Sequence, residues 1–212
     1  MKTPINRETL KLHWMYSWWK YVLAVVLCVF GINLIYTVTE PRIPDSEKLD
    51  VLIYGNADTE AMDAWLEEVR AAQFPEQKKF TATALMPDET YGPMALMARL
   101  GANEGDVFVL PREQYQAYAG SGAFMALEDQ LDVGALGEEM GVQLERAWRR
   151  DEDSGERHLY GLPIGAFPQL KAWCQVPESS YVSIRVRLDE DDRALRLLLL
   201  MLESGKNVAE TT

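Results

Sequence analysis

The run LDVLIYGN, residues 49–56, is apolar at Leu49 and from Val51 to Tyr54 and stops on Gly55 and Asn56. A strand with so little alternation has both faces covered, as in a parallel sheet flanked by helices. The next stretch agrees. Asp58 or Thr59 can cap a helix in which Met62, Trp65, Leu66, Val69 and Ala72 recur at spacings of three and four, and Phe74-Pro75 ends it. KFTATALM, residues 79–86, alternates with β-branched residues and predicts a second strand. Pro87-Asp88 and Tyr91-Gly92-Pro93 bracket a turn, and Met94, Leu96, Met97 and Leu100 mark a second helix closed by residues 101–105. VFVL, residues 107–110, is a third strand stopped by Pro111. Tyr115, Tyr118 and Ala119 then share a face of a short helix that Gly120-Ser121-Gly122 breaks. The order β-α-β-α-β-α with right-handed crossovers predicts an α/β fold: one doubly wound, mostly parallel sheet with helices on both faces.

Beyond this unit the pattern is less regular. Residues 125–145 are acidic and helix-compatible, and RRDEDSGERHLYG, residues 149–161, has a polar Asp-Ser-Gly tip that predicts a hairpin. GLPIGAFP, residues 161–168, is too rich in Gly and Pro for a central strand. YVSIRVRL, residues 181–188, places Val182, Ile184, Val186 and Leu188 on one face and Ser183, Arg185 and Arg187 on the other, which predicts a half-exposed strand. Asp189 to Asp192 then precede an apolar helix over residues 194–202. The four acids read either as a hard-cation site or as carboxylates favoured at a helix N-terminus, and capping is the simpler account because a helix follows and no second ligand cluster is near. That helix is apolar almost all round, so either the fold covers it or a partner does.

Upstream of the strand, YVLAVVLCVFGINLIYTV, residues 21–38, contains no charge. Eighteen residues at 1.5 Å each nearly cross a hydrocarbon core of about 30 Å, with Trp18, Trp19 and Tyr36 at the interfaces. A cleaved signal peptide has a shorter apolar region of about 7–15 residues ending at a small-x-small site. A lipoprotein signal would end its apolar stretch at Cys28, whereas this run continues past it. The expected organisation is therefore a cytoplasmic leader over 1–20, a single transmembrane anchor over 21–39, a linker over 40–47, a domain over 48–205 outside the cytoplasm, and a tail over 206–212. The basic leader (Lys2, Arg7, Lys11, Lys20 against Glu8) gives this orientation.

Charge narrows the partners. The chain carries 21 basic and 33 acidic residues, and since four of the former and one of the latter lie in the first twenty positions, the remainder stands at −15. Such a surface repels phosphate backbones, so nucleic acid is not an expected partner. No catalytic constellation is present: His13 lies before the apolar run and His158 stands alone at the hairpin, so neither a metal site nor a nucleophile-base pair is indicated. With no phosphate loop and no Gly-x-Gly-x-x-Gly after a strand, no cofactor is expected either. The reading is of a non-enzyme.

GDVFVL at 105–110, the helix with Gln114 and Tyr118, and AGSGAFMALED at 119–129 resemble the first lobe of an extracellular solute-binding protein of ABC importers. YGLPIG at 160–165 is similar to that family's passage into its interdomain crossing, and YVSIRVRLDEDDRALRLLLLMLES at 181–204 is similar to its returning strand and helix. The resemblance implies one lobe of a periplasmic-binding-protein-like fold. It departs from the family between these last two motifs, where a second lobe of roughly a hundred residues belongs and this chain has the fifteen from Ala166 to Ser180.

If a solute is bound, the expected surface lies beyond the carboxyl ends of the parallel strands: Tyr54, Gly55 and Asn56, then Asp88 and Tyr91, then Arg112 and Gln114. Ordinary loop chemistry accounts for the same residues. The leading expectation is a membrane-anchored module that works by contact with a transporter or envelope complex, with Leu197, Leu198, Met201 and Trp173 as partner-facing candidates. The alternative is a solute-binding receptor of an ABC importer, of the sugar or peptide class, with a site that is one-lobed or completed by a second chain.

Overall fold

The computed structural model describes residues 7–39, 43–186 and 192–209, in two compact units divided between Arg42 and Ile43. The first unit is one helix, α1 (Arg7–Thr39), whose stretch Ser17–Leu34 has a mean hydropathy of 1.6 and is long and apolar enough to cross a membrane. The helix takes in the leader from Arg7 onward, since Trp14 to Lys20 contain neither Gly nor Pro to break it.

The second unit begins with β1 (Lys48–Tyr54) and β2 (Asn56–Ala57), then α2 (Thr59–Gln73), β3 (Lys79–Leu85), α3 (Tyr91–Gly101), β4 (Val107–Leu110) and α4 (Arg112–Tyr118). After these come α5 (Val133–Met140), the hairpin strands β5 (Trp148–Arg150) and β6 (Arg157–Leu159), β7 (Leu162–Pro163), α6 (Pro168–Trp173), β8 (Cys174–Gln175), β9 (Tyr181–Ile184) and α7 (Arg193–Ala209). The main sheet has the order β3-β1-β4-β9-β7. β1 runs parallel to β3 and β4, with Val51 opposite both Ala82 and Val107, whereas β9 is antiparallel to β4 and to β7. Because the chain steps from β1 to β3 in one direction and returns across β1 to β4 in the other, right-handed crossovers put α2 and α3 on opposite faces. The mostly parallel α/β sheet read from the sequence is thus present.

Asp58 caps α2 by accepting from the Ala61 amide at 3.1 Å, and Met62 and Leu66 point into the core. α7 lies on the same side as α2: Arg196 reaches the Gln73 carbonyl at 3.1 Å and stacks its guanidinium on the Phe74 ring. At the other end Arg193 is buried and donates to the Ser46 carbonyl, to Lys48 O at 3.2 Å and to Gln77 Oε1 at 2.7 Å, which staples the returning helix to the start of β1.

Three readings change. β9 is buried along its whole length, Ser183 included, because it sits between β4 and β7 rather than at an open face; a serine is small enough to fit beneath Gly161, so its polarity misleads the alternation. Arg185 continues inward as well, facing Asp106 at 3.5 Å. Arg187, Leu188 and the acids Asp189 to Asp191 lie outside the described residues. The fifteen-residue segment Ala166–Ser180 is also not a bare connection. It forms α6 and then β8, which pairs antiparallel with β2, Asn56 opposite Gln175 and Ala57 opposite Cys174.

Candidate functional site

The carboxyl ends of three adjacent parallel strands bring the sequence-predicted residues onto one rim, although in unequal states. Tyr54 closes β1 and is buried, its ring lying under Gly92, where an added Cβ would meet the hydroxyl. Burial raises its phenol above the ordinary range, and Asp88 and Tyr118 add to the effect. Gly55 is covered by the chain itself: an added Cβ there would come within 2.6 Å of Val176 Cγ1. Asn56 is exposed but its backbone is spent on β8. Asp58 donates its amide to the Trp173 carbonyl at 2.9 Å, and Trp173 packs on Trp65 with ring centroids 5.7 Å apart. Segment 173–176 therefore occupies the crevice expected beyond β1.

Beyond β3 the rim is open. Asp88 is exposed, and its Oδ1 accepts the Tyr91 amide at 2.7 Å and the Thr90 amide at 2.9 Å. These two amides, Tyr91 first, hold its carboxyl below the usual carboxylate range, so it is an acceptor with one oxygen oriented by the α3 N-terminus. Tyr91 projects beside it, and Met86, Tyr91, Met94 and Met97 are each between 59% and 74% exposed. Spaced three apart on α3, Tyr91, Met94 and Met97 form a stripe facing away from the buried Leu96.

Beyond β4, helix α4 divides the rim. Tyr115 and Ala119 are buried beneath it, with Tyr115 stacked on Tyr181 at 4.3 Å and its hydroxyl donating to the Ala147 carbonyl. Gln114 and Tyr118, one turn apart, lie on the flank toward Tyr54. Arg112 and Gln116 lie on the other flank, toward the β5-β6 hairpin. With its amide oxygen turned to them, Gln116 accepts from Arg149 Nη2 at 2.6 Å and from Arg112 Nε at 2.9 Å. The Arg149 guanidinium also stands 5.7 Å over the Tyr115 ring and donates to the Trp148 carbonyl at 2.9 Å.

The hairpin is fastened by carboxylates. Glu128 accepts from the Leu159 amide at 2.9 Å and pairs with His158 Nδ1 at 2.5 Å, while Asp151 accepts from the Ser154 amide and the Tyr160 hydroxyl. The Glu128 bond raises the His158 pKa. The Asp151 carboxyl falls to about 2, through the Ser154 amide first and then the Tyr160 hydroxyl. These groups are spent on structure. Among the described residues no group of three His, Cys, Asp or Glu side chains is placed to hold a metal ion.

The partner-facing candidates fare differently. Leu197, Leu198 and Met201 are buried against the sheet, and Trp173 is half-buried on Trp65. The fold itself covers the apolar helix. Gln116, Arg149 and Tyr118 were not foreseen as site residues. Gln116 sits at i+4 from Arg112, a detectable spacing, but nothing local marks Arg149, which arrives by the hairpin.

No family model matches the chain, and no curated protein matches it. Among solved structures it is similar to an extracellular solute-binding protein of family 1 from Alicyclobacillus acidocaldarius, at 19% identity and a TM-score of 0.39, over 59% of this chain and 28% of that one. It is also similar to a sugar transporter from Rhizobium etli in an open conformation, at 17% identity and a TM-score of 0.35, over 55% of this chain and 28% of that one. The chain thus spans less than a third of the length of either.

Proposed function

We propose that the domain is a membrane-tethered, one-lobed module that recognises a small hydroxylated solute at the open rim beyond β3 and serves a membrane transporter. The observation that carries the reading is the pairing of an oriented, ionised carboxylate, Asp88, with the exposed ring of Tyr91. A ring that can lie against the apolar face of a sugar, beside an acceptor for its hydroxyls, is the usual composition of such subsites. The transporter is named on the motif resemblance of residues 105–129 and 160–165 to solute-binding proteins of ABC importers. The tether is the apolar stretch of α1, with the domain on the outer side as the basic leader indicates.

Calorimetry on the full chain in nanodiscs, titrated with common mono- and disaccharides, tests the reading. Saturable binding is expected, weakened about tenfold or more by Asp88→Asn and by Tyr91→Ala, since a hydrogen bond to a charged group contributes roughly 1.5–3 kcal/mol. Absence of saturable heat with every sugar would overturn it.

A second reading, contact with a protein, has its own observation. Met86, Tyr91, Met94 and Met97 make a surface rich in methionine, a residue suited to adaptable contacts. Asp88 and Glu89 border it, so the occupant would be a membrane-protein surface with an apolar centre and a basic rim. In this reading the contact surface is α3, not α7.

A further inference from the structure

We propose that Arg112 and Arg149 form a binding site for a small oxyanion, the carboxylate or phosphate group of a solute, on the flank of α4 that faces the hairpin. It lies across α4 from the Gln114–Tyr118 flank and does not depend on sugar recognition at Asp88. Both guanidinium groups donate to one neutral oxygen, that of Gln116. Two like charges are thereby held within the span of a single oxyanion, in a chain whose residues beyond 20 carry a net balance of −15. Despite that excess of acid, neither arginine is paired with a carboxylate among the described residues. Three other arginines of this domain do take a carboxylate: Arg70 takes Glu67, Arg99 takes Glu104 and Arg185 takes Asp106.

The geometry also suggests how an anion would enter. Arg149 is fixed, because its guanidinium rests on Tyr115 and Nη1 is tied to the Trp148 carbonyl. The donor it turns to an incoming anion is Nη2, the one that meets Gln116. Arg112 and Gln116 are exposed, and the Gln116 side chain can swing out. An oxyanion would take the place of the amide oxygen and exchange two bonds to a neutral acceptor for two to an anionic one, in which donor and acceptor are both charged.

The test uses the full chain in nanodiscs of zwitterionic lipid at low ionic strength, where exposed charges are least screened. The probes are succinate and inorganic phosphate, with chloride at matched ionic strength as the reference. Saturable binding of one or both is expected at millimolar concentration or below; succinate alone identifies a carboxylate site, and phosphate alone a phosphate site. Arg112→Gln and Arg149→Gln should each weaken binding about tenfold or more. Gln116→Ala should preserve it, whereas Gln116→Glu, which supplies the carboxylate internally, should abolish it while keeping or raising thermal stability. The Gln116 pair keeps the proposal falsifiable if Arg149→Gln fails to fold. Asp88→Asn should leave anion binding unchanged. The proposal is overturned if neither probe binds more than chloride does, or if Gln116→Glu binds as well as the parent.

Discussion

Replacing Gly55 by alanine tests the seating of segment 173–176 over the end of β1. Gly55 has φ +155°, and an added Cβ would stand 2.6 Å from Val176 Cγ1 and 3.6 Å from the Gln175 carbonyl oxygen. Two costs follow. A side chain in that backbone conformation costs roughly 1–3 kcal/mol, and the overpacking against Val176 adds about 1–3 kcal/mol. β8 cannot retreat freely, because Asn56 and Ala57 pair with Gln175 and Cys174 and the Asp58 amide is bonded to Trp173 O. The Gly55→Ala protein should therefore lose about 2–6 kcal/mol, or roughly 5–20 °C in Tm for a domain of this size. Val176→Ala on that background should return the overpacking part, giving a coupling of about 1–2 kcal/mol in a double-mutant cycle, and leave the backbone part. The assay is thermal and urea unfolding followed by near-ultraviolet circular dichroism, which senses the Trp65–Trp173 pair. A Tm within about 1 °C of the parent, together with no coupling to Val176, would refute the placement of this segment.

Two further outcomes can be checked. A photo-crosslinker at Met94 should capture a membrane protein that one at the exposed Glu113 does not if α3 is a contact surface, and identical capture at both positions would remove that reading. The stability contributed by the His158–Glu128 pair should depend on pH in two directions. Glu128 meets a desolvation cost that raises its pKa, but the amides of Glu128 and Leu159 and then His158 outweigh it, so its contribution is present above the ordinary carboxyl range and fades as pH falls through its lowered value. The raised imidazole contributes fully below its ordinary value of about 6.5 and loses this as pH rises through the folded pKa. Thermal unfolding across pH 4–9, an interval of roughly that breadth around both groups, should show Glu128→Gln flattening the slope on the alkaline side. An unchanged slope would mean that the pair is not charged in the folded protein.

Strands whose environment is local in sequence were legible. VLIY and VFVL are continuous apolar runs because β1 and β4 are central and covered on both faces, and the structure places strands at Lys48–Tyr54 and Val107–Leu110. Periodicity found α2, since one face of fifteen residues meets the core and the other meets water. It failed at β9, where tertiary position outweighed alternation: Ser183 lies against Gly161, a contact supplied by another part of the chain. α6 was not foreseen because six residues are too few to display a period. The apolar face of α7 left two occupants open, and only the packing of Ala194, Leu197, Leu198 and Met201 shows that the domain covers it. The same limit applies to the site. Asp88, Tyr91 and Arg112 follow strands and can be read from the strand-end rule, whereas Arg149 reaches Gln116 across thirty-three positions of sequence.

The seating of α6 and β8 has a consequence for affinity in both proposed sites, because these elements fill the end of β1 with the chain's own Trp173 and Val176. On the proposed reading ligands meet the flanks, Asp88 and Tyr91 on one side and Arg112 and Arg149 on the other, and each flank covers only one side of a solute. Small-molecule sites that hold their ligand tightly bury most of its surface, so an open flank alone must bind weakly. A second surface can supply the missing half, and a tether raises the effective concentration of two surfaces held at one membrane. On the proposed reading, binding by the isolated domain should be weak and should tighten when a membrane partner covers the rim. The methionine stripe on α3 begins at Tyr91, the residue that also borders the solute rim, and so lies where such a cover would have to rest.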